Sequence, residues 1–520
     1  MQLKKMIILF RKYLPVFVLG FFSFFINYHY GFIGVMPMDN FVLYNGGYRV
    51  LSGYIPFTDY WLVTGPLLDY LNALIFYING VSWRSFIIHS SLFNLIISVA
   101  SYTLFIDLGL SKKFSLIYSI FYSLLFYPVV GTPFVDHHST IFLILAFYFF
   151  IFAINNNKNR YLTAVPFLFC LSFLSKQTPA AYGLLVIFPL IMTYLLLSKE
   201  KRIQILGYLF LGSTVSVLFL LLFFYFTKIN VNNFYEQYIL FAKTLGDFRF
   251  SNYEFNLINI LVKYKFISIL TIFLTIILIQ ILKKKNIIKI LIILSILSLS
   301  YLLVFHQYYT LNQNYIFFLI PFLTGVIHAF YKEVFIKKYF LFFIILICVY
   351  STAKYHLRFN EHRKFNELEK VNLSIAIDAE VLSQDLKGLK WITHNYPKSP
   401  EIEIANLLKV IEILKNDNSR KTLITSYQFL ASTLNIYDFS PNQWHHPSVS
   451  FPTKNQKYFK EYKYFFIQNL KKNSIDFIYE TSKNEDTIVE LIINKNCFKK
   501  EKVSEILIKL EIKKDCKDFQ

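Results

Sequence analysis

Several short stretches of this chain bring together side chains able to do chemistry. VMPMDNFVLYNGG carries Asp39 just after an apolar run. A carboxylate there can act as a general base, and it can equally cap the helix that follows. GTPFVDHHST sets Asp136 beside His137 and His138. Such a trio can bind a divalent metal or shuttle protons. Adjacent side chains diverge on a helix, however, so Asp136 also reads as a plain N-cap. Lys176 in FLSKQTPAAY is the one cation of its neighbourhood, just before Pro179. It can hold a phosphate at a membrane surface, or simply snorkel. His306, Gln307, Tyr308, Tyr309, Asn312, Gln313 and Asn314 form a hydrogen-bonding stretch suited to sugar hydroxyls or to an ordinary interfacial loop. Asp59 lies among turn formers, where a structural role fits.

The elements that must position these residues are membrane helices. Of 520 residues, 55% are hydrophobic and only 16% charged, which is too apolar for a soluble chain of this size. Apolar segments run over approximately 14–30, 85–106, 114–130, 139–154, 161–175, 180–197, 205–226, 266–282, 287–305, 315–330 and 339–353, eleven candidate spans in all. The first reads as an uncleaved helix with a basic start. A cytoplasmic N-terminus puts Lys112/Lys113, Lys158/Arg160, Lys199/Lys201/Arg202, Lys283/Lys284/Lys285 and Lys332/Lys337/Lys338 all on the inner side. Asp39, Asp59, Asp69, Asp136, Glu236, Asp247 and Glu254 then face out. The net charge of +21 belongs mainly to these inner clusters, which argues against a nucleic-acid partner. Within the first long outer loop, Leu67 to Ile78 is too short to span and reads as an amphipathic helix lying on the bilayer.

The expected fold is therefore a membrane all-α bundle of about eleven helices over residues 1–353, followed by a small α/β domain, 354–520, outside the cell membrane. In that domain EIEIANLLKVIEILK and YFKEYKYFFIQNLKKN read as helices, and KTLITSY and SIDFIYE as strands. No nucleotide-binding fingerprint is present in the sequence. An oxidising compartment favours a disulfide between Cys497 and Cys516, whereas Cys170 and Cys348 fall within apolar segments and pack there.

Over roughly residues 1–353 the chain resembles the glycosyltransferase C superfamily, polytopic enzymes that include protein O-mannosyltransferases and the lipid A aminoarabinose transferase. The likeness rests on MDNFVLYNGGYRVLSGYIPFTDYWLVTGPLLDYL, similar to that family's first outer loop, and on FCLSFLSKQTPAAY, similar to its helix end carrying a lysine. The resemblance gives Asp39 the place of the catalytic base and Lys176 that of a donor-phosphate contact. It implies a polyprenyl-phosphate sugar donor and an extracytoplasmic acceptor, handled by an inner-membrane enzyme. Asp59, Asp136, His137, His138, His306 and Tyr308 would support the site or bind the acceptor. Where many members carry an Asp-Glu pair this chain has Asp39-Asn40, and a double proline has become Gly65-Pro66.

Two other classes share the outline. An O-antigen polymerase or ligase would lean on outer-loop arginines, and Arg49, Arg84 and Arg249 are a thin supply. A lipid-linked sugar transporter or flippase would need charged groups at mid-membrane and often an internal repeat, and neither stands out.

Overall fold

The computed structural model describes residues 2–252, 255–310, 315–333, 338–482 and 486–519. It is mostly helical, with a small sheet near the C-terminus. Among the described residues, eight helices are long and apolar enough to cross a membrane, with mean hydropathy between 1.3 and 2.6. They are Trp83–Asp107, Val135–Asn155, Gln177–Leu197, Lys199–Thr227, Lys265–Lys283, Ile287–Tyr309, Ile316–Glu333 and Tyr339–Glu361.

Three of the eleven expected spans are not among these eight. Lys112–Leu125 and Ala164–Ser175 are helices of 14 and 12 residues, short of a bilayer's thickness. Gln2–Tyr30 is a helix of 29 residues that contains the first expected span, residues 14–30. Asn27 turns inward, and its amide donates to Ser90 and Ser91 at 2.9 and 3.0 Å. A buried amide in apolar surroundings must be satisfied in this way. Lys337 and Glu254, placed inside and outside by the charge pattern, lie outside the described residues.

Two compact units interleave along the sequence. The first comprises Met1–Gly31, Ser90–Leu221 and Asn252–Phe365, and the second Phe32–His89, Leu222–Ser251 and Asn366–Gln520. Their boundaries cut across a simple division at residue 353.

In the first unit Val135–Asn155 is the central helix, with 83% of its apolar window buried, against 11% for the lipid-facing Lys199–Thr227. Two serines of Trp83–Asp107 bond within their own helix. The Ser98 hydroxyl donates to Asn94 O and that of Ser101 to Ile97 O, at 2.6 and 2.9 Å.

In the second unit Pro37–Leu51 packs against Leu67–Asn79. Glycine permits the approach: a Cβ on Gly46 would run into the Asp69 carboxylate, and one on Gly47 would stand 2.5 Å from Asn72 Cβ. Leu67–Asn79 buries Asp69 and Asn72 while leaving Leu74, Tyr77 and Ile78 exposed at 53%, 78% and 65%. Its outward face is the apolar one. The sheet runs Lys421–Ile424, Phe477–Thr481, Leu507–Ile512, Phe498–Lys502. The first pair is parallel and the other two are antiparallel. Helix Phe459–Lys472 turns Tyr462, Phe466 and Leu470 into a core that includes Ile424, Ile478 and Leu510 of the sheet. Cys497 and Cys516 are joined by a disulfide, their Cα atoms 5.2 Å apart.

Candidate active site

Asp136 opens Val135–Asn155, where a helix N-terminus favours a carboxylate. Its side chain is 2% exposed, and both of its oxygens accept from the Lys176 ammonium at 2.7 Å. Lys176 stands at an extended joint (φ −160°, ψ 142°) between Ala164–Ser175 and Gln177–Leu197. The Ser139 hydroxyl donates to its carbonyl at 3.3 Å, which ties that joint to the central helix. His306, near the end of Ile287–Tyr309, brings Nε2 to 3.3 Å from Asp136 Oδ1. Three candidates scattered over 170 residues of sequence thus form one buried cluster at the ends of helices in the first unit.

The two histidines after Asp136 turn elsewhere. His137 Nε2 lies 3.2 Å from Phe126 O, and its ring packs on Tyr315 with centroids 4.4 Å apart. His138 Nδ1 lies 2.6 Å from the Tyr127 hydroxyl, which accepts from Phe134 N–H at 3.2 Å. Both rings are fully buried. They do not converge, and among the described residues no group of three His, Cys, Asp or Glu side chains is placed to hold a metal ion. Tyr308 is buried with its hydroxyl accepting from Asn256 N–H at 3.3 Å. Asn312, Gln313 and Asn314 lie outside the described residues.

Asp39 and Asp59 belong to the second unit. Asp39 occupies the first turn of Pro37–Leu51, which begins with Pro37 and has no side-chain cap from Met36. Asn40, 1% exposed, accepts from Met36 N–H at 2.8 Å and so closes the helix start from within. Asp39 is half-buried. Asp59 is used structurally: it accepts from Ile55 N–H at 2.8 Å and pairs with Lys472 at 2.8 Å.

Two features carried no sequence signal. Arg363, 1% exposed, donates to Pro128 O and Val130 O at 2.8 and 2.9 Å and so fixes the loop that delivers Asp136. Burial pushes its guanidinium down to about 10. In the second unit, the buried Asp69 accepts from Tyr60 Oη and Gln443 Nε2, each at 2.9 Å. Burial pushes its carboxyl up to about 7.

Residues 63–226 match the dolichyl-phosphate-mannose-protein mannosyltransferase family. The match, over part of the chain, supports a membrane glycosyltransferase of the C type. Among curated proteins none matches the chain. The matched stretch contains Asp136 and Lys176, and begins after Asp39 and Asp59.

Proposed function

We propose that this glycosyltransferase moves a sugar from a polyprenyl-phosphate donor in the cell membrane to an acceptor on the extracytoplasmic side. Residues 1–353 would form the catalytic membrane domain and 354–520 an external domain, with the N-terminus in the cytoplasm. Asp39 takes the proton of the acceptor hydroxyl as that oxygen attacks the anomeric carbon. The bond from that carbon to the phosphate oxygen breaks, and the lipid phosphate departs. Lys176 offsets the charge growing on it. An ammonium has three N–H donors, so pairing with Asp136 does not exhaust it. Asp136 is a positioning residue that holds Lys176, and His306 in turn contacts Asp136.

The observation carrying this reading is the Lys176 ammonium, 18% exposed and held at a helix end inside the family-matched segment. A phosphate whose lipid lies in the bilayer meets such a cation without leaving the membrane. A carboxylate clamped by an ammonium is committed to that pair, which favours Asp39 over Asp136 as the base.

The test is transfer of radiolabelled sugar from a synthetic polyprenyl-phosphate donor to membrane acceptors, with the purified chain in lipid vesicles. Incorporation is the expected result. Movement of the lipid-linked sugar across the bilayer without transfer would overturn it in favour of a flippase.

A further inference from the structure

The second unit contains a cavity of about 700 Å³, within the range of small-molecule sites. Its walls combine aromatic rings with unsatisfied polar atoms. Trp61 is 2% exposed, yet its Nε1 has no hydrogen-bond partner within the protein. Asn469, 5% exposed, has an unpartnered Oδ1, and Glu236 an unpartnered buried Oε1. Native proteins seldom leave such groups unmatched, because each costs about 1–3 kcal/mol. The three residues that carry these atoms, one donor and two acceptors, all line the same space. Tyr464 adds a ring 67% exposed, and Phe465 sits edge-on to Trp61 at 5.7 Å.

The walls are held in place. Trp61 N–H donates to Pro441 O at 2.7 Å and Trp61 O accepts from Gln443 N–H at 3.2 Å, fixing the backbone that carries the indole. Phe57, four residues earlier, sits in the left-handed region (φ 66°). Its carbonyl accepts from the amides of Asn233 and Gln237 at 2.9 and 3.0 Å. Both amides come from the segment that includes the π-helix Tyr235–Phe241, a rare geometry that concentrates at functional sites. That π-helix presents Glu236 to the cavity opposite Glu461. Burial, and then the neighbouring Glu461, push the Glu236 carboxyl up from its ordinary range.

We propose that this cavity is a saccharide-binding site, in which Trp61, Glu236 and Asn469 hydrogen-bond hydroxyl groups while Tyr464 stacks on the sugar face. The donor and acceptors match a hydroxyl, which both gives and takes a hydrogen bond. A bare aromatic ring beside them suits the apolar face of a pyranose. A hard cation fits poorly, because two carboxylates fall short of the oxygen shell it takes. Its lining includes neither Asp39 nor any residue of the Asp136 cluster, and its binding needs no donor lipid.

The test is titration of the full chain in lipid nanodiscs with mannose, glucose, galactose, N-acetylglucosamine and their short α- and β-linked oligomers. Calorimetry and saturation-transfer NMR give the readout. Saturable binding is expected for at least one sugar, weakened about tenfold by Glu236→Gln or Tyr464→Ala and unchanged by the exposed Glu412→Gln. Trp61→Ala is avoided because that ring is part of the core. Absence of binding across the panel overturns the proposal, as does binding undiminished in both cavity variants. So does binding of a serine- and threonine-rich peptide in place of every sugar. None of these outcomes depends on whether the chain transfers sugar.

Discussion

The carboxylate of Asp136 and the ammonium of Lys176 meet at 2.7 Å across 40 residues of sequence. Each makes the burial of the other tolerable. Removing one partner of a buried pair costs about 3–5 kcal/mol, because the remaining charge is left unmatched. Asp136→Asn and Lys176→Met should each lower the thermal midpoint in nanodiscs, and the double variant should lose less than the two losses combined. Strict additivity would show that the pair is not coupled in solution.

Asp39→Asn should abolish sugar transfer with near-normal expression and membrane insertion, since it removes a base and preserves size. Loss of a general base costs ~10² to 10⁴ in rate. Asp59→Asn should have the smaller effect on rate, because Asp59 serves Ile55 N–H and Lys472. Full transfer by Asp39→Asn, together with loss in a correctly folded Asp136→Asn, would move the base to Asp136.

Asp69 gives a pH signature. Its carboxyl is pushed up to about 7 by burial, against about 4 in an unfolded chain. Between those values the folded protein holds a proton that the unfolded chain has lost. Stability from this group is therefore full below about pH 4 and declines as pH rises through 7. Glu480, also pushed up to about 7, adds a slope of the same sign, so the informative quantity is a difference. Asp69→Asn should flatten the fall in thermal midpoint between about pH 5 and about pH 8. An unchanged slope would mean that Asp69 is not the group responsible.

Reporter fusions at Asn157 and Asn418 should read cytoplasmic and external. Consistent with an external domain, the Cys497–Cys516 link should persist in protein from oxidising cells. Cys497→Ser should reduce stability by about 3 kcal/mol on the chain-entropy account. Reaction of both cysteines with an alkylating agent after denaturation without reductant would contradict this.

Individual site residues were easier to read from sequence than their partnerships. Asp136, Lys176 and His306 each stood out as a polar group among apolar runs, but their meeting depends on where three helices end in space. The helix at Lys112–Leu125 stops earlier than its apolar run, which continues through Val129 and Val130 into the loop that Arg363 pins. Strand Phe498–Lys502 was illegible because FKKEK has no apolar alternation. It is an edge strand, exposed after its first residue, and lysines there discourage pairing with other chains. Nothing local in YEQYILF marks it as a π-helix either, which is why the cavity bordered by Glu236 had no counterpart in the sequence.

Leu67–Asn79 hides Asp69 and Asn72 and shows Leu74, Tyr77 and Ile78. A helix with its preferences reversed is at home against hydrocarbon, and in water it becomes adhesive. Stripping lipid or detergent from the protein would therefore create a sticky stripe at this helix before the core is disturbed. Clumping on purification would start from natively folded chains, and a polar replacement at Tyr77 or Ile78 would delay it at the expense of the helix's grip on lipid.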